Sequence, residues 1–294
     1  MNEVKQNSAK AWFLAARPKT LTGAAVPVMI ALAMAAHDSE YHVTWLPALL
    51  CFLFAFIMQI DANFVNDFFD WRRGNDDEAT RLGPLRACSQ GWVTPKAMVK
   101  ALAITTVLAS IVGLPLVFYG GWEMILVGVA CVVCSVLYTT TLSYLALGDV
   151  LVLLFFGIVP VCFSYYIQTH EITMRVFLMS LLCGIVIDNL LIVNNYRDID
   201  NDRRDGKKTL IVLLGKKTGL ALYLCFGLIA AVGVFFISNG TALNLVMIAY
   251  VALHCLTFMR MRKLKGKKLN IVLGDTARNI FVFGMLASVV LLLS

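Results

Sequence analysis

Long uncharged apolar runs recur along the whole chain and restrict its fold more than any other feature. They fall at about residues 18–36, 45–68, 99–118, 122–138, 148–168, 176–194, 219–237, 241–259 and 279–293. A run of about 17–25 apolar residues has the length of an α-helix crossing a bilayer core of roughly 30 Å. Backbone in lipid must satisfy its own hydrogen bonds, so runs of this length are helices. The short alternating segments of a membrane β-barrel are absent. The fold class predicted is all-α, a polytopic membrane protein with about nine transmembrane helices.

Composition agrees. The 294 residues are 60% hydrophobic and 15% charged, whereas soluble domains are nearer 45–50% and 25%. No polar block is long enough for a soluble domain, so 1–294 reads as a single transmembrane domain. The eight cysteines lie mostly inside apolar runs and read as small hydrophobes. Cys131 and Cys134 form a CxxC, but it falls in mid-run with no second pair. The first apolar run starts late and lacks a clear small-residue cleavage site, so no cleavable signal peptide is expected.

Lys and Arg set the orientation. With the N-terminus inside, the inner segments carry Lys5, Lys10, Arg17 and Lys19, then Arg72, Arg73, Arg81, Arg86, Lys96 and Lys100, then seven basic residues in 197–217 and seven in 260–278. Of the 25 basic residues only Arg175 falls outside. Shifting the span count by one breaks this pattern. The expectation is a multi-pass protein of the cytoplasmic (inner) membrane with its N-terminus in the cytoplasm. The net charge of +7 then reflects topology and contact with anionic lipid. It calls for no nucleic-acid partner.

Two acidic clusters close the second and sixth runs: FVNDFFDWRRGNDD at 64–77 and NNYRDIDNDRRDGKK at 194–208. Both land on the same face of the membrane, in loops at about 69–98 and 195–218. Gln59, Asn63, Asn66, Asp67 and Asp70 follow one another at steps of 4, 3, 1 and 3, and residues three or four apart share a helix face. Asp188, Asn195, Asp198 and Asp202 follow at steps of 7, 3 and 4. Asp61 points away from its stripe and reads either as a packing or folding residue or as part of a site.

Helix C-termini carry partial negative charge, so Asp67, Asp70, Asp198 and Asp202 sit at the unfavourable end. A divalent cation removes that penalty, and carboxylates with Asn carbonyls suit Mg²⁺ or Ca²⁺. Mg²⁺ typically takes one or two carboxylates plus substrate phosphates. Two opposed clusters predict Mg²⁺ around a diphosphate; the alternative is a solvated juxtamembrane surface. Arg81 and Arg86 in RLGPLR, and Arg197, Arg203, Arg204, Lys207 and Lys208 in the second cluster, suit phosphate oxygens. Each also serves as a topology determinant.

Asn66-Asp67-Phe68-Phe69-Asp70 with Asp76, and Asp198 to Asp202, resemble the two aspartate-rich motifs of the UbiA superfamily of intramembrane aromatic prenyltransferases, roughly NDxxD…D and DxxxD. RPKT at 17–20 is similar to that family's N-terminal signature, and GKKTLIVLLG at 206–215 to the stretch after its second motif. The resemblance covers essentially the whole chain. NDFFDWRRGND, RLGPLR, GDVLVLLFFGIVPVCFSYYIQT at 148–169 and NNYRDIDNDRRDGKKTL look like the branch that prenylates 1,4-dihydroxy-2-naphthoate. The hydroxybenzoate branch usually has an acid four residues after the second; here that position is Gly74 and the acid is Asp76. Many relatives carry a basic residue shortly after the tyrosine at Tyr138, and YTTTLSY has none, which leaves Tyr138 and Tyr144 weak matches.

The resemblance implies a Mg²⁺-dependent enzyme acting on a polyprenyl diphosphate and an aromatic acid within the lipid bilayer. Its metal ligands would be Asn66, Asp70, Asp198 and Asp202, with Asp76 a further candidate. Asp70, Asp198 and Asp202 would be the catalytic set. Asn63, Asp67, Asn195 and Asp205 would assist, and Arg81, Arg86, Arg197, Lys207 and Tyr138 would contact substrate. Arg17 and Lys19 either hold the ring carboxylate or anchor the first span. The product implied is demethylmenaquinol. Alternatives are another acceptor, such as 4-hydroxybenzoate, or a cation-coupled transporter, which would place its acids near the bilayer midplane. Loops 71–97 and 197–217, with Gly74, Gly83, Gly91 and Gly206, are expected to close as a lid. Asn66 and Asn194 lie 128 residues apart, each ahead of an acidic loop. That suggests pseudo-twofold character and a central cavity open to the cytoplasmic side.

Overall fold

The structure, a computed structural model, describes residues 4–74, 81–140, 145–240 and 242–294, apart from the side chains at 138 and 140. Asp76 and Tyr144 lie outside the described residues, as does the side chain of Tyr138. The described residues fold into helices and turns, with no strand among them. A short α1 (Ala9–Ala16) precedes α2 (Leu21–Asp38), α3 (Trp45–Arg73), α4 (Pro95–Gly120) and α5 (Glu123–Thr140). After them come α6 (Gly148–Thr169), α7 (Met174–Arg204), α8 (Leu210–Ile237), α9 (Met247–Lys263) and α10 (Leu269–Leu293). Eight stretches among the described residues are long and apolar enough to cross a membrane, and α5 is shorter but apolar.

Local chemistry explains where the helices begin. Ser8, Thr94 and Thr173 each accept a hydrogen bond from the backbone N–H three residues on, as Thr209 does ahead of α8. Such caps satisfy donors that a helix start leaves orphaned. Arg17 has φ 50° and is followed by Pro18, which together end α1 and let α2 start afresh.

Three boundaries differ from the sequence expectation. The second and sixth runs were expected to end near 68 and 194, but α3 continues to Arg73 and α7 to Arg204. Their 29 and 31 residues span about 43 and 46 Å at 1.5 Å per residue, well beyond a core of roughly 30 Å. The acidic motifs therefore ride on projecting helix ends rather than in loops. The last helix starts at Leu269, ten residues before the expected 279. Asp275 there bonds Arg260 at 2.6 Å and lies 3.4 Å from Arg278. Charges paired on one face do not interrupt a helix, although they interrupt a hydropathy run.

The helices close into a bundle. α7 packs against α6, α8 and α10, and α2 against α3, α6 and α10. α3, α4 and α5 pack together on the other side. Large apolar side chains such as Trp45, Phe118 and Phe236 are exposed on the outside, as lipid contact requires. Inside, polar pairs join helices: Tyr223 with Thr276 at 2.9 Å, and Asn279 with Thr257 at 2.9 Å. Asp61 belongs to this class. It accepts from Thr105 on α4 at 2.5 Å and Ser135 on α5 at 3.3 Å, so it packs three helices together. α2 to α7 enclose a cavity of about 810 Å³.

α6 carries a π-helical segment, Leu153–Ile158, where it meets α7. Gly157 and Gly184 allow the close approach: a Cβ at Gly157 would stand 2.5 Å from the Ser180 carbonyl oxygen. Gly157→Ala is expected to lower stability by about 1–3 kcal/mol through overpacking, seen as a lower Tm in detergent. Gly274→Ala, where a Cβ meets nothing within 4 Å, is expected to leave Tm unchanged or raise it slightly.

Candidate active site

One end of the cavity gathers both acidic motifs. Asn66 and Asp70 line it from α3, and Asn194, Asn195, Asp198, Asn201 and Asp202 from α7. Asp205 and Lys207 line it from the turn after α7, and Arg81 and Arg86 from the segment after α3. Most of the expected site residues thus converge, from positions as far apart in sequence as Arg17 and Lys207.

The acids are met by cations. Asp70 Oδ2 accepts from Arg86 Nη2 at 2.9 Å, and its Oδ1 lies 3.8 Å from Lys207 Nζ. Lys207 therefore ties the first motif to the turn after the second. Asp198 receives a two-pronged bond from Arg197, at 2.9 and 2.6 Å. Arg197 also donates to Asn270 at 2.7 Å, and Asn270 donates to the Leu82 carbonyl at 2.8 Å. Gly83 is needed there, since a Cβ would stand 2.7 Å from Arg197 Nη2. Arg81 bonds the Pro84 carbonyl at 2.7 Å. Burial, aided by nearby Arg17 and Arg197 and opposed by Asp70 and Asp198, lowers its pKa to about 10. It stays charged at neutral pH.

Other expected residues have different tasks. Asp67 does not line the cavity. Its two oxygens accept from the backbone N–H groups of Ala87 and Cys88, both at 2.8 Å, and Arg17 Nη2 lies 3.7 Å away. Asp67 holds the RLGPLR segment in place, a role that helical spacing could not distinguish from substrate contact. Asn63 lines the cavity but donates to the Ala16 carbonyl and to Thr20 Oγ1, both at 2.9 Å, fixing the α1–α2 break. Arg17 lines the cavity, and its buried Nη2 makes no hydrogen bond. Lys19 is exposed and does not line it, which separates two residues that the sequence left equivalent.

Sequence reasoning missed Asn270 and Thr139. Thr139 donates to Asn66 Oδ1 at 2.9 Å. Neither belongs to a motif, and only packing brings them to the site. The segment before α4 is also anchored: Asn7 N–H donates to the Trp92 carbonyl at 2.7 Å, and Gln6 to that of Gly91 at 3.0 Å. Gly74, Gly91 and Gly206 all have positive φ, which serves tight turns.

Among the described residues no three acidic, His or Cys groups form a metal-holding cluster by themselves. The donor set still fits Mg²⁺. Asp70 faces the cavity from one wall and Asp198 and Asp202 from the other. Mg²⁺ commonly takes one or two carboxylates and fills its remaining positions with water and substrate phosphate.

A bundle with such a charged cavity end above an apolar shaft is built to handle a lipid-tailed anion inside the membrane. The chain matches the UbiA prenyltransferase family model over residues 24–273. It is 34% identical over 234 residues to 1,4-dihydroxy-2-naphthoate octaprenyltransferase of Escherichia coli (strain K12), covering 76% of this chain and 75% of that one. With the protein of that name from Mycobacterium leprae it shares 30% over 281 residues, 93% of each chain. In fold it is similar to a UbiA homolog from Aeropyrum pernix K1, with TM-score 0.69 at 14% identity, over 91% of this chain and 96% of that one. It is also similar to one from Archaeoglobus fulgidus bound to GPP and Mg²⁺, with TM-score 0.62 at 13% identity, over 96% and 99%. This protein is a membrane-bound aromatic prenyltransferase. It belongs to the UbiA prenyltransferase family.

Asp67→Ala leaves two backbone N–H groups without an acceptor, a loss of about 1–3 kcal/mol each when buried. The segment should loosen, and limited trypsinolysis should cut at Arg81 and Arg86 faster than in the unsubstituted protein.

Proposed function

We propose that the protein transfers a polyprenyl group from a polyprenyl diphosphate to 1,4-dihydroxy-2-naphthoate, with loss of the ring carboxylate as CO₂, giving demethylmenaquinol. The observation that carries this reading is the cavity. Asp70, Asp198 and Asp202 share its charged end with Arg81, Arg86, Arg197 and Lys207, and apolar side chains line most of the remainder. The 30–34% identity to naphthoate octaprenyltransferases supports the choice of acceptor.

Asn66, Asp70, Asp198 and Asp202 would hold Mg²⁺, which when bound supplies Lewis-acid polarisation of the diphosphate oxygens. Arg86 and Lys207 reach Asp70 from two sides and would turn toward phosphate oxygens as charge develops on the leaving group. Arg197 is fixed by Asp198 and Asn270, so it orients the carboxylate rather than sweeping the cavity. The C1–O bond of the prenyl chain breaks with its electron pair on oxygen. The electron-rich ring attacks C1 at the carbon that carries the carboxylate, and loss of CO₂ restores aromaticity. Arg17, whose Nη2 lies 3.7 Å from Asp67 and makes no hydrogen bond, lines the cavity and is placed to hold that carboxylate. Water would quench the allylic cation, and the pinned RLGPLR segment covers part of the charged end. The concentration of basic residues at this end supports its lying on the cytoplasmic side of the inner membrane.

Purified protein with Mg²⁺, a labelled prenyl diphosphate and the naphthoate should give a prenylated quinol. Product formed only with 4-hydroxybenzoate would overturn the acceptor, and ion-coupled transport without any prenylated product would overturn the enzyme. Asp70→Ala and Asp198→Ala should each lower turnover by at least about 100-fold, with Tm little changed.

A further inference from the structure

Deeper in the cavity lies a second pair of acids that the diphosphate end does not use. Asp149, at the start of α6, and Asp188, in the middle of α7, lie close enough to interact through their side chains. Asp188 is 3% exposed. Oδ1 of each residue is buried with no hydrogen-bond partner, and Asp149 lines the cavity. Asp188 precedes Asp198 by ten residues on one helix, or about 15 Å along its axis. Asp188 therefore lies below the diphosphate end, and Asp149 lines the cavity wall next to it.

Two more features point to a ligand at this depth. Gln59 on α3 lines the cavity, is 9% exposed, and has a buried Oε1 with no partner. Its amide nitrogen is already held by Thr20 and Asn63. It precedes Asn66 by about two helical turns, much as Asp188 precedes Asn195. The second feature is the π-helical segment that begins four residues after Asp149. Together with the Gly157–Gly184 approach it sets α6 close against α7, and such segments recur at functional sites. A buried acid pair is costly in a membrane, and a scaffold needs no carboxyls for this contact.

We infer that the Asp149–Asp188 pair binds a ring hydroxyl of the aromatic acceptor and takes its proton while the new carbon–carbon bond forms. The inference rests on the function proposed above. The hydroxyl beside the carboxylate-bearing carbon loses its proton to the pair as that carbon attacks C1 of the prenyl chain. The ring is then a ketone with a carboxylate on the neighbouring carbon. Loss of CO₂ leaves its electron pair in the ring as an enolate, and the oxygen recovers the proton from the pair. The pair ends as it began, with no oxidant or reductant required. Gln59 Oε1 accepts a hydrogen bond from the second hydroxyl of a diol.

The test is steady-state kinetics on the full chain, varying each substrate in turn, with Asp149→Asn and Asp188→Asn. Either amide preserves size and can donate a hydrogen bond to the remaining carboxylate. Asp149→Asn should lower kcat by about 100-fold or more, with the KM for prenyl diphosphate within about twofold of the unsubstituted protein. The unsubstituted protein should also reject the acceptor whose hydroxyl is methylated, and Asp149→Asn should lose that discrimination. An unchanged kcat, or a KM for prenyl diphosphate that rises with the loss, overturns the inference. Collapse of Tm in both variants likewise overturns it and makes the pair a scaffold. A protein that works only with a different phenolic acceptor sinks the naphthoate reading but leaves the pair testable with that acceptor.

Discussion

The site depends on charge compensation between two helix ends. α3 and α7 each finish in acids, where the helix dipole already disfavours them. Without cations nearby, the two ends would repel across the cavity. Arg86 and Lys207 on Asp70, and Arg197 on Asp198, remove that repulsion. Lys207 follows α7 yet reaches the acid of α3, so one side chain couples both motifs. A diphosphate with Mg²⁺ would exchange these internal partners for its own charges.

Rigidity around this centre comes from residues whose hydrogen bonds are spent on the scaffold. Asp67 spends both oxygens on the turn at Ala87 and Cys88. Asn63 joins α3 to the break between α1 and α2. Asn270 links Arg197 to the Leu82 carbonyl. Arg86, next to the turn that Asp67 holds, and Arg197, on Asn270, are thereby kept in place, and Arg81 is kept by the Pro84 carbonyl. Guanidiniums that are already oriented lose less entropy on meeting phosphate than free surface chains do.

Intramembrane acids fall into three environments. Asp61 is surrounded by hydroxyls and packs helices. Asp70, Asp198 and Asp202 face cations at the charged end. Asp149 and Asp188 face each other beside the cavity. Sequence places all six near or within apolar runs, but their surroundings separate scaffold from chemistry.

Periodicity and length alone determined that the chain is a helical membrane bundle, because backbone in lipid has few other solutions. Helical spacing likewise put Asn66 with Asp70, and Asn195 with Asp198 and Asp202, since residues three or four apart must share a face. The helix ends were misjudged at 68, 194 and 279 because hydropathy stops at the first charges, whereas hydrogen bonding along the helix does not. Spacing also could not tell Asp67 from Asp70, or Arg17 from Lys19. Whether each faces the cavity depends on which neighbour occupies the adjoining surface. Asn270, Thr139 and the Asp149–Asp188 contact were invisible for the same reason: each joins distant elements, and only tertiary packing decides which distant side chains meet.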